Sequence, residues 1–170
     1  MNIISLLTAF IVSSSIYSLQ FQDIDGQPVS MSQFQGKKVL LVNIATGSSK
    51  VNQLEGLQQL QQQYSDSLVV IAFPSNSFGK EFRTDQEIKQ FCQNNYGVTF
   101  LLALKNPIAG PVNQPVYNWL TNSTENSVTN DPVRGDFQKY LISESGNLIG
   151  IFSPSVQPMS SELRSALSIQ

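Results

Sequence analysis

Two apolar segments on either side of one amphipathic segment constrain the fold of this chain most. The apolar segments are residues 39–44 and 68–73. Runs of this kind are typical of central parallel strands that are buried on both faces of a sheet. Between them, leucines recur at intervals of three residues and glutamines fill the other positions, which predicts an amphipathic helix through Leu54, Leu57, Leu60 and Tyr64. The three segments together predict a β-α-β unit.

The remaining segments predict a hairpin at each end and further helices. Residues 17–29 and 139–152 each alternate around an Asp-Gly or Ser-Gly pair, and glycine tolerates the positive φ of a tight turn. Thr84, followed three residues later by Glu87, predicts a capping box at the start of a second helix. A strand at 100–104, a short helix at 116–120 and a last helix at 163–167 complete the order. This is the order of a thioredoxin-like α/β fold, with a central mixed sheet flanked by helices, an N-terminal β-hairpin and a helical insertion at 84–121.

Composition narrows the functional classes. A length of 170 residues with 41% hydrophobic content fits one compact domain, which we place at residues 16–170. The net charge of −2 without a basic cluster argues against nucleic acid as a partner. There is no histidine, which removes Ser-His-Asp and Cys-His catalysis and the commonest zinc and iron ligand, so we expect no metal and no cofactor.

The first fifteen residues resemble a targeting segment. An apolar run at residues 3–12 precedes three serines, as in the hydrophobic region of a secretory signal peptide, and it is too short to span a bilayer. No Lys or Arg precedes the run, so an additional N-terminal helix is the alternative. We expect residues 1–15 to be a signal peptide or an N-terminal extension. A signal peptide implies a secreted or periplasmic protein, and an extension implies a cytoplasmic one.

Ordered motifs from residue 16 to about residue 167 carry a family resemblance. They are Asp23-Ile24-Asp25-Gly26, Phe34-Gln35-Gly36-Lys37-Lys38, Ala72-Phe73-Pro74-Ser75-Asn76, Tyr96-Gly97-Val98-Thr99-Phe100, Pro115-Val116-Tyr117-Asn118-Trp119 and Phe137-Gln138-Lys139-Tyr140-Leu141. With these motifs the chain resembles glutathione peroxidases. The resemblance implies a thiol peroxidase that reduces hydrogen peroxide or organic hydroperoxides with glutathione or thioredoxin.

All four positions of that family's catalytic tetrad differ here. The resemblance places the tetrad's Cys or selenocysteine at Ser48, its Gln at Ser77, its Trp at Gly135 and its Asn at Asp136. Serine forms neither the thiolate nor the reversible sulfenic acid that peroxide reduction requires. Ser77 keeps a shorter hydrogen-bond donor, Gly135 has none, and an ionised Asp136 can only accept. The resemblance therefore predicts the fold of a thiol peroxidase, whereas the four replaced residues argue against peroxide reduction.

Two of these residues also have ordinary structural interpretations. Ser48 as a hydrolytic nucleophile would need a base, and only Lys50 is near in sequence, so we favour a helix cap at a strand-to-helix junction. Asp136 could bind a ligand, but an ion pair with Arg134 or Lys139 at the start of a strand is the simpler expectation.

Cys92 is the only cysteine, so it cannot form a disulfide within the chain. It shares an apolar helical face with Ile88 and Tyr96, which predicts a buried and unreactive thiol. The resemblance places the family's resolving cysteine at Gln93, one residue away, and a redox role for Cys92 is the alternative.

Three functions follow. The first is a non-catalytic member of the family that binds an unknown protein or small ligand through the former active-site face. The second is a thiol-dependent peroxidase of altered or weak activity that uses Cys92 with glutathione or thioredoxin. The third is a structural role in an oligomer or envelope complex, which a large exposed apolar patch would indicate.

Overall fold

A computed structural model describes residues 15–110 and 114–168. The predicted signal peptide or extension lies outside these residues except for Ser15. No helix in the two described ranges is both long enough and apolar enough to cross a membrane.

The predicted β-α-β unit is confirmed. Strand β3 (Lys38–Ile44) leads through a loop into helix α1 (Gln53–Gln63), which returns the chain to strand β4 (Leu68–Pro74). Strands β3 and β4 are parallel along their whole length, from the pair Lys38 and Leu68 to the pair Ile44 and Pro74. Every residue of β3 is buried, as expected for a strand covered on both faces.

The central sheet is mixed and has the strand order β5-β4-β3-β6-β7. Strand β5 (Leu101–Leu102) is parallel to β4, whereas β6 (Lys139–Ile142) is antiparallel to β3 and forms a hairpin with β7 (Leu148–Phe152). The described structure therefore has the predicted thioredoxin-like arrangement of a mixed sheet.

The predicted N-terminal hairpin forms a separate two-stranded sheet of β1 (Gln20–Gln22) and β2 (Pro28–Ser30). Short 3-10 helices precede and follow it, at Ile16–Ser18 and Met31–Phe34. The first of these packs on the turn of the β6-β7 hairpin. A Cβ added to Gly146 there would lie 2.6 Å from the Tyr17 ring, so glycine is required for this close approach.

The described residues of the predicted insertion at 84–121 contain two helices, α2 and α3, and a third helix, α4, follows the insertion. Helix α2 (Asp85–Tyr96) begins with the predicted capping box of Thr84 and Glu87. Helix α3 (Pro115–Leu120) was also predicted, but α4 (Ser123–Asn126) was not, because it has a single turn and its start depends on the Asn122 side chain as a cap. The strand predicted at 100–104 is shorter than expected and is limited to β5. Helix α5 (Ser161–Ser168) ends the described chain.

Two apolar clusters lie on the two faces of the sheet. Alternate residues of β3 divide between them, because successive side chains of a strand point to opposite faces. One cluster takes Leu40, Val42 and Ile44 with residues of α1, α2 and α5, and the other takes Val39 and Leu41 with residues of α3. Burying one such side chain stabilises the fold by about 1.5–3 kcal/mol. Strand β3 is thereby fixed in position, and the loop at its carboxyl end carries Ser48.

Candidate functional site

Ser48 lies in the loop between β3 and α1, and its side chain is only 4% exposed. Its Oγ accepts a hydrogen bond from the Lys50 amide at 3.3 Å, and its carbonyl accepts one from the Val51 amide at 3.1 Å. The predicted role as the cap of α1 is wrong, because α1 begins at Gln53 and Asn52 occupies its N-cap position. Ser48 instead holds a turn within the loop.

Asp136 is the second predicted site residue that the structure places here. It is 5% exposed, and burial raises the pKa of its carboxyl group. The positive charge of Lys80, the neighbouring Ser48 hydroxyl and the charge of Lys50 oppose this rise, in that order of size. Its Oδ1 has no hydrogen-bond partner in the described structure. Ser48 and Asp136, which are 88 positions apart in sequence, are therefore neighbours.

The ion pair predicted for Asp136 is wrong. Arg134 pairs instead with Asp131 at 3.4 Å on the surface, and the Lys139 ammonium donates to the Phe137 and Val156 carbonyls, each at 2.7 Å. Strand β6 begins at Lys139, so Asp136 belongs to the segment before the strand. That segment turns the carboxylate towards the Ser48 loop and away from both predicted cations.

Asn43 positions this segment, and sequence reasoning assigned it no role. Its Nδ2 donates to the Gly135 carbonyl at 2.9 Å, and its own carbonyl accepts a hydrogen bond from the Phe137 amide at 2.7 Å. Phe137 has a φ of 67°, an uncommon value for a residue other than glycine, and it is fully buried. The available signal was a lone asparagine within an apolar strand, because a buried amide needs partners.

Ser77 makes its hydrogen bonds elsewhere. Its Oγ accepts one from the Ser75 hydroxyl at 3.0 Å and another from the Ile108 amide at 3.0 Å. It also lines a surface cavity of about 350 Å³ together with Lys105 and Pro107. The structure thus brings Ser48 together with Asp136 and its neighbour Gly135, whereas the bonds of Ser77 connect it to its own loop and to the segment that follows β5.

A buried carboxylate fixes the Ser48 loop to the segment that precedes α2. Glu81 is 1% exposed and accepts hydrogen bonds from the Thr46 amide at 2.6 Å and from the Thr46 hydroxyl at 2.8 Å. Arg83 donates to the same hydroxyl at 2.7 Å, and the Gly47 amide donates to the Lys80 carbonyl at 3.0 Å. We refer to Thr46, Glu81 and Arg83 as the loop clamp. Sequence reasoning missed it because Thr46 is 35 positions from Glu81 and 37 positions from Arg83, and the three residues form no motif.

Lys139 is a second ionisable residue whose burial was not predicted. It is fully buried, and burial, assisted by the charge of Lys50, lowers the pKa of its ammonium group to about 8. The two carbonyls named above accept its protons, and none of the ion pairs found in the described residues includes it. The charge of Lys50 therefore acts both on the incompletely bonded carboxylate of Asp136 and on the buried amine of Lys139.

Cys92 lies on the buried face of α2, and its predicted burial is confirmed. It is fully buried, and its pKa is raised to about 12 by burial, with a further rise from the Glu81 charge and an opposing effect of Arg83. Within the described ranges, no group of three or more Cys, Asp or Glu side chains could hold a metal ion.

Known proteins resemble this chain over most of its length. The glutathione peroxidase family model matches residues 16–121, a range that includes Ser48 and Ser77 and ends before Gly135 and Asp136. The glutathione peroxidase-like peroxiredoxin 2 of Saccharomyces cerevisiae is 34% identical over 161 residues, which cover 92% of this chain and 99% of the yeast protein.

Solved structures agree with this similarity. The crystal structure of Trgpx in its apo form superposes with a TM-score of 0.68 and 27% identity, covering 91% of this chain and 97% of the other. A thiol:disulfide interchange protein of the thioredoxin family from Chlorobium tepidum superposes with a TM-score of 0.64 at 16% identity over 91% of this chain and 97% of its own. The second similarity concerns the fold alone.

Proposed function

The chain belongs to the glutathione peroxidase family, and we propose that it is a member without peroxidase activity, which binds a protein or a small ligand through its former active-site face. One observation carries this proposal. The loop where the family resemblance locates the reactive sulfur holds Ser48, and the sole cysteine is buried in the apolar face of another element. The loop that would hold a reactive group and the only sulfur of a cysteine, in Cys92, therefore lie in different parts of the fold.

The chemistry at Ser48 supports the absence of turnover. Peroxide reduction begins with a thiolate that attacks the O–O bond and carries away one oxygen as sulfenic acid. A serine hydroxyl does not ionise near neutral pH, and it has no sulfur oxidation states to use. Asp136 is next to this hydroxyl, and its charge would oppose any anion that formed there.

The supporting donors are also missing under this assignment. An oxyanion or thiolate is stabilised by hydrogen-bond donors that are already aimed at it. Gly135 has no side chain, and the Ser77 hydroxyl accepts hydrogen bonds from the Ser75 hydroxyl and the Ile108 amide, which hold its side chain to its own loop and to the segment after β5. Replacing one member of such a group could be compensated, but loss of the sulfur and of its donors together leaves no part of the mechanism in place.

Cys92 is a poor substitute for the missing sulfur. With a pKa of about 12, the thiolate fraction at pH 7 is about 10⁻⁵. Its surroundings are apolar side chains of the same core cluster, including Ile88 and Phe100. A peroxide molecule would have to displace part of this core to reach the sulfur.

The former active-site face retains features that suit binding. The loop clamp holds the Ser48 loop rigidly, which reduces the ordering cost of an encounter. Lys50 and Lys80 supply positive charge beside Asp136. As part of the same proposal, residues 1–15 are a cleaved signal peptide that directs the protein outside the cytoplasm.

A thiol-dependent peroxidase is the second candidate. Its support is the similarity to proteins named as peroxiredoxins, together with the Arg83 charge, which lowers the pKa of Cys92 against the effect of burial. In this candidate Cys92 is oxidised by hydrogen peroxide or an organic hydroperoxide and is reduced again by glutathione or thioredoxin.

A peroxide-consumption assay tests the proposal. The purified chain is mixed with hydrogen peroxide or an organic hydroperoxide under a glutathione or a thioredoxin reducing system, with the yeast relative as a positive control. We expect consumption at the rate of the buffer blank and an intact mass without added oxygen. Turnover that disappears in Cys92→Ala would establish the second candidate, and the same intact mass reports whether residues 1–15 have been removed.

A further inference from the structure

A small cavity lies between the β6-β7 hairpin and the segment that precedes β6. Its volume is about 260 Å³, which is below the roughly 300–1,000 Å³ that is typical of sites for drug-sized ligands. The residues that line it are Asp131, Arg134, Gln138, Tyr140, Ile151 and Ser153. The lining includes neither Ser48 nor Asp136, so this cavity is distinct from the former active-site face.

The floor of the cavity is one face of two paired strands. Tyr140 of β6 and Ile151 of β7 are direct cross-strand partners, in the part of the pairing before its register shift. Direct partners have their side chains on the same face of a sheet. Gln138 and Ser153 are each two residues from this pair and line the same cavity, as strand alternation predicts. The floor therefore combines a phenol, an amide and a hydroxyl with one aliphatic side chain.

The phenol at the floor has an unused proton. Gln138 Nε2 donates to the Tyr140 hydroxyl at 2.7 Å, and Gln138 Oε1 accepts a hydrogen bond from the Arg134 amide at 2.8 Å, which fixes the orientation of the side-chain amide. The Tyr140 O–H itself finds no acceptor among the residues that the structure describes. Tyr140 is 1% exposed, and burial raises the pKa of its phenol to about 12, so the group keeps its proton at neutral pH. A buried donor requires an acceptor, which a ligand in the cavity can supply.

Two opposite charges lie at the mouth of the cavity. Asp131 and Arg134 pair through a single contact of 3.4 Å, and their side chains are 65% and 71% exposed. An exposed pair of this kind contributes little to stability, so a ligand can replace either partner at small cost. Both charges also affect the pKa of the Tyr140 phenol, in opposite directions, so both lie near it.

The backbone of the mouth is held in place before any ligand arrives. The Asp131 amide donates to the Thr129 hydroxyl at 2.9 Å, and the Arg134 amide is bonded to Gln138. Val133, between the two charged residues, is buried in the same apolar cluster as Tyr140. A fixed segment reduces the ordering cost of binding.

We propose that this cavity binds a free α-amino acid with an apolar side chain, such as leucine. The ligand's carboxylate accepts hydrogen bonds from the Arg134 guanidinium and the Tyr140 hydroxyl. Its ammonium group donates to the Asp131 carboxylate, and its side chain contacts Ile151.

Charge and size select this class of ligand over its relatives. A simple carboxylate would be repelled by Asp131, and a simple amine would be repelled by Arg134 and would leave the Tyr140 proton without an acceptor. A zwitterion satisfies both charges at once, because it exchanges the weak contact between Asp131 and Arg134 for two contacts of its own. The small volume admits a ligand of the size of one amino acid. This inference is independent of the proposed function, because it uses no residue of the Ser48 loop.

Methyl NMR of the full chain, labelled at its isoleucine δ1 methyl groups and titrated with L-leucine, tests the binding. We expect a saturable shift of the Ile151 methyl, which lines the cavity. Ile88 is the internal control, since it is fully buried on α2 in the other apolar cluster and should not shift. The absence of a saturable Ile151 shift, or an equal shift of Ile88, would overturn the proposal.

Two analogues of leucine test the class of ligand. In 4-methylpentanoate the ammonium group is missing, and in 3-methylbutylamine the carboxylate is missing. Each should bind at least about tenfold more weakly than leucine, because each loses one charged contact and leaves one like charge unbalanced. Equal affinity of either analogue would show that the site does not recognise a zwitterion.

Three substitutions test the assigned contacts. Asp131→Asn, Arg134→Gln and Tyr140→Phe should each raise the dissociation constant of leucine about tenfold or more, because each removes one polar contact.

The controls match these substitutions in kind. Arg164→Gln removes an exposed guanidinium on α5, and Tyr117→Phe removes a buried phenol oxygen that has no partner among the described residues. Both should bind leucine as the wild type does. Thermal unfolding gives a second measurement, since leucine should raise the midpoint of the wild type and of both controls but not that of Arg134→Gln, whose exposed side chain is not needed for folding. Unchanged affinity in Arg134→Gln and Tyr140→Phe, or an equal loss in the controls, would contradict the proposed site.

Discussion

A peroxidase site combines a sulfur atom with surroundings that stabilise its charge. In this chain the Ser48 loop has the charged surroundings and the buried face of α2 has the sulfur atom. The loop follows the central strand, is fixed by a buried carboxylate, and has charged groups around it, but the residue at its centre is a serine. The face of α2 holds a sulfur atom, but apolar side chains surround it and its pKa is about 12. Reactivity requires both an atom that can ionise and surroundings that stabilise its charge. Neither region of this chain has both.

The largest expected difference between the two regions is in thiol reactivity. Native Cys92 should react with a thiol reagent on the order of 10³-fold more slowly than in concentrated urea, because burial raises its pKa from 9.0 to about 12 and shields its sulfur. Ser49→Cys supplies the control, since Ser49 is exposed in the Ser48 loop and its new thiol should label rapidly in the same molecule. Rapid labelling of both thiols in the native protein would show that the sulfur is accessible.

The loop clamp should make the largest contribution to stability among the site residues. Glu81→Ala removes the acceptor of two buried hydrogen bonds from Thr46, one of which comes from the backbone. We expect the free energy of unfolding to fall by about 3–5 kcal/mol. Urea denaturation measures it, with Glu162→Ala as a control because that carboxylate is exposed on α5. A loss below about 1 kcal/mol would mean that the clamp does not hold the loop.

Lys139 should give the free energy of unfolding a distinctive pH dependence. Its pKa in the folded chain is about 8, against an ordinary value of 10.5, so the unfolded chain binds the proton more tightly. The free energy of unfolding should therefore rise with pH through this interval, by about 1 kcal/mol between pH 8 and pH 9.

Cys92 has the opposite effect at alkaline pH. Its pKa is raised in the folded state, so stability falls as the pH rises above its ordinary value of 9.0. Urea denaturation in the Cys92→Ala background removes this effect and isolates Lys139. The rise should be absent when Lys139→Met is added, and a rise that persists in that variant would assign it to another group.

The smallest expected effect belongs to Asp136. Burial raises the pKa of its carboxyl group and one oxygen lacks a partner, so Asp136→Asn should leave stability at pH 7 unchanged or raise it by up to about 1 kcal/mol. A group with a raised folded pKa makes the chain less stable as the pH increases through that pKa. The advantage of the variant should therefore shrink as the pH is lowered towards 3.8, the carboxyl group's ordinary pKa. The prediction would be contradicted if Asp136→Asn were less stable than the wild type at neutral pH while the two proteins unfolded equally at low pH.

The sequence predicted elements whose signals are local. The leucine spacing of α1, the capping box at Thr84 and the two hairpins depend on residues within one or two turns of each other, and all of them form. The burial of Cys92 follows from the same helical periodicity. A helix of a single turn was not predicted where one side chain caps its start, as Asn122 does for α4.

The arrangement of the site could not be predicted in the same way. Charges were paired by proximity in sequence, which joined Asp136 to Arg134 and Lys139. The fold instead places Asp136 beside Ser48, because Asn43 fixes the segment that precedes β6. Contacts between distant segments depend on the register of β3 and β6, and no local pattern encodes that register.

The central claim is that both the sulfur and its supporting donors are missing from the Ser48 loop, and rapid-mixing kinetics with hydrogen peroxide tests it most directly. The second-order rate constant is measured for the wild type, for Ser48→Cys, and for a variant that also carries Ser77→Gln, Gly135→Trp and Asp136→Asn. A Cβ added at position 135 would make an ordinary contact of 3.5 Å with the Pro154 side chain, so the backbone there accepts a side chain. We predict no reaction for the wild type, a small rate for Ser48→Cys, and a rate for the quadruple variant that exceeds the product of the separate effects. A reactive wild type, or a Ser48→Cys variant as fast as the quadruple variant, would contradict the account.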